Sequence, residues 1–185
     1  MASTFSSACG GCRAVARPSA HDDAQPAVSG LIAVANSAET AGWAAAWAEG
    51  LATALQPPHA LEKVLAAYES AGGTGPRILQ VHVSWAPTDA EALAIAKDQW
   101  SHAVLSPPTI WDLEQPEDFD AAAGEPSDQQ LRDALLISSD LDELAQRIAD
   151  HARLGFDRIY LHNVGRNQRE WIEVFGGTVV PALTR

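Results

Sequence analysis

The feature that most constrains this fold is an alternation of short apolar runs with amphipathic segments, repeated four times. The apolar runs are residues 31–35, 51–55, 77–85 and 158–162. Each is followed by a segment whose apolar residues recur at helical spacing. Strands that alternate with helices are typical of parallel sheets with helical crossovers. The sequence therefore predicts an α/β protein built from four parallel β/α units.

Capping and helix-breaking residues predict where the first helices begin and end. Asn36-Ser37 can cap a helix that runs to about Ala48 and that Gly50 ends. Pro57-Pro58 predicts the start of the next helix, because proline suits the first helical turn.

Later helices carry similar markers. Thr88 and Glu91 have the form of a capping box for a third helix. Ser138 or Ser139 is predicted to cap a long helix that Gly155 closes. The intervening residues 106–130 are acidic and rich in proline, which predicts a loop with helical turns. Their acidic part lacks the spacing of a calcium loop, so no metal site is predicted.

The third strand separates into an apolar and a polar face. Successive side chains of a strand point to opposite sides, so residues two apart share a face. Leu79, Val81, Val83 and Trp85 form the apolar face. Gln80, His82 and Ser84 form the polar face, and Tyr160 and His162 share a face of the last strand by the same parity. The helical spacing of Trp43 and Trp47, and the position of Trp171 on another helix, predict core packing for these tryptophans.

Residues 1–30 differ from the rest, being rich in Ser, Ala, Gly and Pro without periodicity, which predicts a disordered tail before a domain at 31–185. Cys9 and Cys12 lie in this tail, and two cysteines cannot complete a structural zinc site. The rest of the chain has no cysteine, which favours a cytoplasmic location. Acidic residues outnumber basic ones 24 to 12, which argues against nucleic-acid binding. The apolar runs are too short to span a membrane.

Pattern alone leaves two architectures open. One is a small open doubly wound sheet, which the presence of only four strands favours. The other is part of a (β/α)8 barrel, which needs eight strands.

Three stretches decide between these architectures by resemblance. They are LIAVANSAETAGWAAAWAEGLATAL, ILQVHVSWAPTDAEALAIAKDQW and LGFDRIYLHNVGRNQREWIEVFG. In order and spacing they resemble the carboxy-terminal half of the luciferase-like oxidoreductases, in the branch named after deazaflavin-dependent glucose-6-phosphate dehydrogenase. The resemblance implies strands five to eight of a TIM barrel, a truncated chain, and flavin mononucleotide (FMN) or the deazaflavin coenzyme F420 as cofactor.

The resemblance also suggests site residues at the carboxyl ends of the strands, where barrel enzymes bind ligands. Asn36 and Ser37 are predicted to contact the cofactor phosphate through the backbone, although relatives often have Gly-Gly there. An ordinary helix cap is the alternative for this pair.

The substrate pocket is predicted to include His82, Ser84, His162 and Asn163, with Gly165 allowing a tight turn. The alternative for His82 and Ser84 is that these polar groups merely bond to one another. The alternative for His162 and Asn163 is an ordinary strand-to-helix turn. No catalytic residue can be assigned, because the resemblance places the main catalytic side chains in the other half.

The predicted function is oxidation or reduction of a small organic substrate. The loop at residues 56–59 has no Lys or Arg, which argues against a sugar phosphate. The alternative is a non-catalytic remnant or subunit that folds only by pairing with another chain. A complete nucleotide-binding module is a third and weaker hypothesis, because no Gly-x-Gly-x-x-Gly run follows a strand. A half-barrel would have two free sheet edges, which predicts a homo-oligomer.

Overall fold

The computed structural model describes residues 30–106 and 109–184. The predicted tail, with Cys9 and Cys12, lies outside the described residues except for Gly30. Four parallel strands form a sheet in the order β1 (Ile32–Val34), β2 (Gly50–Ala54), β3 (Arg77–Ser84) and β5 (Arg158–Asn163). This arrangement confirms the predicted α/β class with parallel strands.

A short fifth strand, β4 (Leu136–Ile137), was not predicted, because two residues leave no periodic pattern. It pairs in parallel with Val83 and Ser84 at the end of β3. The carbonyl of Gln80 accepts from Leu55 after β2, and the carbonyl of Ser84 accepts from Ser138 after β4. Because carbonyls four residues apart in a strand point the same way, β4 lies on the β2 side of β3, beyond the end of β2.

The helices are α1 (Ala38–Ala44), α2 (Pro58–Ser70), α3 (Asp89–Trp100), α4 (Pro116–Ala123), α5 (Asp128–Ala134), α6 (Leu141–Ala152), α7 (Gln168–Val174) and α8 (Val180–Leu183), with a π-helical turn at Phe175–Val179. Two 3-10 turns, Ser101–Val104 and Thr109–Trp111, belong to the segment between α3 and α4. The predicted loop at 106–130 is therefore a set of short helical pieces.

The structure confirms one predicted helix start and corrects one predicted helix end. Thr88 caps α3, and its hydroxyl accepts from the Glu91 amide at 3.3 Å, as predicted. The prediction for Gly50 was wrong: α1 ends at Ala44, and Gly50 opens β2. A Cβ at Gly50 would lie 2.9 Å from the Pro76 carbonyl oxygen, so close strand packing accounts for this glycine.

The predicted cap of α6 was also wrong. Asp140, and not Ser138 or Ser139, is the N-cap, because its Oδ1 accepts from the amides of Asp142 and Glu143 at 2.9 and 3.1 Å.

The helices bury one face of the sheet. The predicted apolar face of β3 is confirmed, since Leu79, Val81, Val83 and Trp85 are at most 5% exposed and pack with residues of α2, α6 and the π-helical turn. A second apolar cluster lies beyond the carboxyl ends of β3 and β5. It joins α3, α5 and β4, so the segment between β3 and β5 covers this end of the sheet.

The opposite face of the sheet stays open over its β1 and β5 sides. Val34 is 72% and Tyr160 is 54% exposed, and Gln80 is exposed between them. Register pairs Gln80 with Tyr160 and His82 with His162, so these residues share one face as predicted.

Candidate functional site

A cleft of about 890 Å³ lies at the carboxyl ends of β1 and β2. Its walls come from both strand ends, the start of α1, the segment around Val104 and the end of α5. The polar lining residues include Asn36, Ser37, Thr40, Gln56 and Gln130. The cleft is within the range of small-molecule pockets, about 300–1,000 Å³. The two residues predicted to contact a cofactor therefore line a cleft of suitable size.

Asn36 bridges the first two strands at this corner. Its Oδ1 accepts from the Thr53 hydroxyl and from the Ala54 amide, each at 3.0 Å. The Gln56 amide in turn donates to the Thr53 hydroxyl at 3.2 Å. The side-chain nitrogen of Asn36 has no hydrogen-bond partner among the described residues, and Asn36 is exposed. A ligand in the cleft can therefore accept a hydrogen bond from it.

Ser37 is the N-cap of α1, as predicted. Its hydroxyl accepts from the Thr40 amide at 3.2 Å and donates to the Thr40 hydroxyl at 3.0 Å. The ordinary capping role is thus present in the structure. Whether its backbone also contacts a phosphate stays a prediction.

A pair of histidines joins the ends of β3 and β5. The Nδ1 atoms of His82 and His162 lie 2.9 Å apart, so one ring donates a hydrogen to the other. The pairing follows from the strand register, which sets the two residues opposite each other. Burial, together with His162 and His102, lowers the pKa of His82 to about 4. His82 is therefore neutral at neutral pH, and the pair holds a shared hydrogen without a charge on His82.

Trp100, at the end of α3, packs against this pair. Its ring centroid lies 4.8 Å from that of His162, 5.3 Å from that of His82 and 4.7 Å from that of His102. Phe119 of α4 meets His102 at 6.2 Å. The segment that follows α3 thus covers the histidine pair, and this cluster lies outside the lining of the cleft.

The other two predicted pocket residues have their polar atoms occupied. Ser84 is fully buried and donates to the Ala92 carbonyl of α3 at 2.7 Å. Asn163 is 4% exposed; its amide nitrogen donates to Asn167 Oδ1 at 3.1 Å, and its oxygen accepts from the Gly165 amide at 3.3 Å. A Cβ at Gly165 would lie 2.5 Å from Asn167 Oδ1, so a larger residue there would displace the Asn167 side chain that bonds to Asn163.

The structure therefore separates the predicted site residues. It places Asn36 and Ser37 in the cleft, pairs His82 with His162 outside the cleft lining, and joins Ser84 and Asn163 to neighbouring groups by hydrogen bonds. Sequence reasoning did not identify Thr53, Gln130 and Trp100 as parts of these two regions. It considered the loop that begins at Gln56, two residues after β2, only for its lack of Lys and Arg. Gln130 has no sequence marker that would have indicated it.

The charged side chains of the cleft lining are acidic. Glu39 and Asp133 line it, and its described lining contains no Lys or Arg. A flavin or deazaflavin would fit the cleft in size and would meet neutral hydrogen-bonding groups. Its phosphate would find backbone and amide donors there but no cation in this described lining.

The prediction of core packing is wrong for two tryptophans. Trp43 is 66% and Trp47 is 46% exposed, and their ring centroids lie 5.3 Å apart on the surface formed by α1 and the turn that follows it. Helical spacing set them on one face, but that face points away from the sheet. Trp171 is half-buried and stacks on Phe175 at 4.4 Å, as core packing predicts.

Comparison with known proteins follows this geometry. F420-dependent glucose-6-phosphate dehydrogenase of Mycobacterium tuberculosis is 25% identical over 137 residues, 74% of this chain and 40% of that protein. The protein of the same name from Mycolicibacterium gilvum is 25% identical over 109 residues, 59% of this chain and 32% of that protein. The predicted family resemblance is confirmed. No family model matches the chain.

Solved structures show the same fold. An F420-dependent secondary alcohol dehydrogenase in complex with an F420-acetone adduct aligns with a TM-score of 0.71 at 17% identity, over 83% of this chain and 48% of that one. A coenzyme F420-dependent tetrahydromethanopterin reductase from Methanopyrus kandleri aligns with a TM-score of 0.63 at 17% identity, over 83% of this chain and 51% of that one. A type II Baeyer-Villiger monooxygenase from Pseudomonas putida in complex with FMN aligns at 0.53 with 15% identity, over 82% of this chain and 48% of that one. The chain thus spans about half the length of these TIM-barrel proteins.

None of the helices in residues 30–106 and 109–184 combines the length and apolarity needed to cross a membrane. Within the same residues, no three His, Cys, Asp or Glu side chains are grouped to hold a metal ion.

Proposed function

We propose that this chain is part of an oxidoreductase that binds a flavin or deazaflavin cofactor at the cleft. The observation that carries the proposal is the position of the cleft at the carboxyl ends of parallel strands, in a fold similar to F420- and FMN-dependent oxidoreductases. When bound, such a cofactor supplies hydride or electron transfer.

Asn36 and Ser37 are the residues that we propose to hold the cofactor. The free amide nitrogen of Asn36 would donate to the ligand, and the backbone at the start of α1 would face its phosphate. Glu39 and Asp133 oppose an anion in the same cleft, so we expect weak binding by this chain alone. The numbering of its strands as five to eight of a barrel remains part of the proposal.

We propose a small organic substrate without a phosphate group. Gln56 and Pro57 line the cleft, and the loop that they begin carries no Lys or Arg. Phosphate recognition usually relies on Arg or Lys. This distinguishes the proposed substrate from the one named for the relatives.

We propose that the His82–His162 pair, outside the cleft lining, holds a hydrogen between its two rings. The pair lies at the carboxyl ends of β3 and β5, where the Nδ1 atom of one ring donates its hydrogen to the Nδ1 atom of the other. Ser84 and Asn163 are left out of the proposed site, because their polar atoms are already bonded.

Titration of FMN and of F420 with the purified chain tests the cofactor proposal. Fluorescence should show saturable binding with a dissociation constant of about 10 µM to 1 mM. Ser37→Asp should weaken binding more than Ser37→Gly, because aspartate keeps the helix cap but repels a phosphate. Equal affinities for the two variants would reject the phosphate contact. Absence of saturable binding by both cofactors would reject the cofactor proposal, and submicromolar binding would reject an incomplete pocket.

The alternative is a non-catalytic subunit that depends on pairing with another chain. The exposed side chains of Val34 and Tyr160 on the open face of the sheet favour it. We also propose that the chain is a homo-oligomer. A purified oligomer that binds neither cofactor would support the subunit alternative over the enzyme.

A further inference from the structure

Exposed large hydrophobic side chains concentrate at the two ends of the sheet. We define the first edge as β1 with the residue before it, α1 and the turn after α1 up to Trp47, and the last edge as β5 with α7 and α8. Among the side chains that the structure describes, the large hydrophobic ones that are exposed all lie on these two edges. They are Leu31 (59%), Ile32 (39%), Val34 (72%), Trp43 (66%) and Trp47 (46%) on the first edge, and Tyr160 (54%), Ile172 (61%) and Val180 (46%) on the last edge.

The backbone of both edges is open as well. β1 pairs with β2 on one side, and β5 pairs with β3 on one side. On their outer sides neither strand has a strand partner among the described residues. An open edge of apolar residues invites pairing with another strand, and β1 consists of Ile-Ala-Val with no charge or proline to prevent this.

The two edges are complementary in direction. All strands of the sheet are parallel, so the last edge of one copy can continue the sheet at the first edge of another. A two-fold axis along the strand direction creates this junction twice. It joins β1, β2, β3 and β5 of one copy to the same four strands of the other. An eight-stranded parallel barrel results, in which no long strand keeps an open edge.

We propose that a second copy of this chain docks by both edges at once, first edge to last edge, to form a closed dimer. The Trp43–Trp47 pair of one copy then packs against Ile172 and Val180 of the other. Val34 belongs both to the first edge and to the cleft lining, so the second copy also borders the cleft. The proposal is independent of which cofactor the cleft binds.

The proposed contact must rely on short-range apolar packing, because both copies have a net negative charge. Each copy carries a formal charge of −12, so two copies repel each other at long range. Salt screens this repulsion beyond about 8 Å at physiological ionic strength, while apolar contacts persist. Dimerisation should therefore strengthen as salt increases, unlike association driven by opposite charges.

A charge-exchange experiment tests the proposed pairing. Sedimentation equilibrium at low micromolar concentration should show a discrete dimer for the unmodified chain. Trp43→Glu and Ile172→Lys should each weaken self-association at least about 10-fold, because each places a charge in both junctions. An equimolar mixture of the two variants should form a dimer again. One of its junctions is native, and the other pairs glutamate with lysine.

Controls separate this result from loss of folding. Ala94 is exposed on α3, away from both edges, so Ala94→Glu and Ala94→Lys should leave the dimer unchanged. Each edge variant should keep its circular dichroism spectrum when mixed with the other. A monomer with a cooperative melt for the unmodified chain would overturn the proposal, since the chain would then cover its own edges. An open-ended series of oligomers, or no recovery on mixing, would equally overturn edge-to-edge closure.

Discussion

Two strand-to-helix corners of this sheet contain an asparagine and use it differently. At the β1–α1 corner, Asn36 is exposed and bonds across to β2, which leaves its amide nitrogen free at the cleft. At the β5–α7 corner, Asn163 is buried and bonds within its own turn to Gly165 and Asn167. The first corner is open to a ligand, and the second is closed on itself.

The contrast shows that residue type at a strand end does not determine its role. Asn163 satisfies buried backbone and side-chain groups, so its loss would leave polar atoms without partners away from water. Water can replace Asn36 at its exposed corner. The residues of the closed corner should therefore contribute mainly to folding stability, and those of the open corner mainly to ligand binding.

The largest expected effect comes from Asn163→Ala. It removes the bonds that hold the β5–α7 turn and should lower the free energy of unfolding by about 2–3 kcal/mol. Asn36→Ala is the matched control at the open corner and should cost about 1 kcal/mol or less. Urea denaturation of both variants measures this. Equal losses would contradict the distinction between the two corners.

Acid should next weaken the contact between β3 and β5 at His82. The pKa of folded His82 is lowered to about 4, mainly by burial and then by His162 and His102, against 6.5 ordinarily. Between these pH values the unfolded chain binds more protons than the folded chain, so stability falls as pH falls from 6.5 and levels off below about 4. Because His82 remains partly exposed, we expect its share of the loss to be about 1–2 kcal/mol.

The variant His82→Gln separates the stability loss caused by protonation of His82 from the loss caused by protonation of carboxylates. The stability difference between the unmodified chain and His82→Gln should change by this amount between pH 7 and pH 4.5. The exposed residue His59 provides the control variant His59→Gln. If the stability difference between the unmodified chain and His82→Gln did not change with pH, the His82 ring of the folded chain would have its ordinary pKa.

A loss of similar size is expected from Gly165→Ala in the closed corner. The new methyl group would lie 2.5 Å from Asn167 Oδ1 and 3.1 Å from Ile95 Cγ2. Overpacking of this kind costs about 1–2 kcal/mol. Gly176→Ala is the control, since its methyl group would meet nothing within 4 Å in a helical turn and should stabilise the chain slightly. Thermal melts that rank the two variants in reverse would refute the role of Gly165.

The smallest stability effect is expected at the open corner from Ser37→Gly. It removes the hydroxyl that caps the Thr40 amide, but glycine is itself tolerated at this position. The free energy of unfolding should fall by a few tenths of a kcal/mol, roughly, as measured by urea denaturation. A loss above about 1 kcal/mol would show that Ser37 supports the fold more than its exposure suggests.

By itself the sequence determined the order of the long strands, their parallel direction and the two faces of β3. These features depend on local periodicity and on caps such as Thr88, which neighbouring residues specify. The family resemblance was also readable from the sequence, because three separate stretches keep their order.

Only the tertiary structure decided which polar residues are available to a ligand. The contact of His82 with His162 joins residues 80 positions apart, and the burial of Asn163 depends on packing against other elements. The exposure of Trp43 and Trp47 was decided in the same way, because helical spacing puts two side chains on one face but does not say what that face meets. Local pattern fixes the direction of a side chain within its element, whereas its surroundings depend on contacts that are distant in sequence.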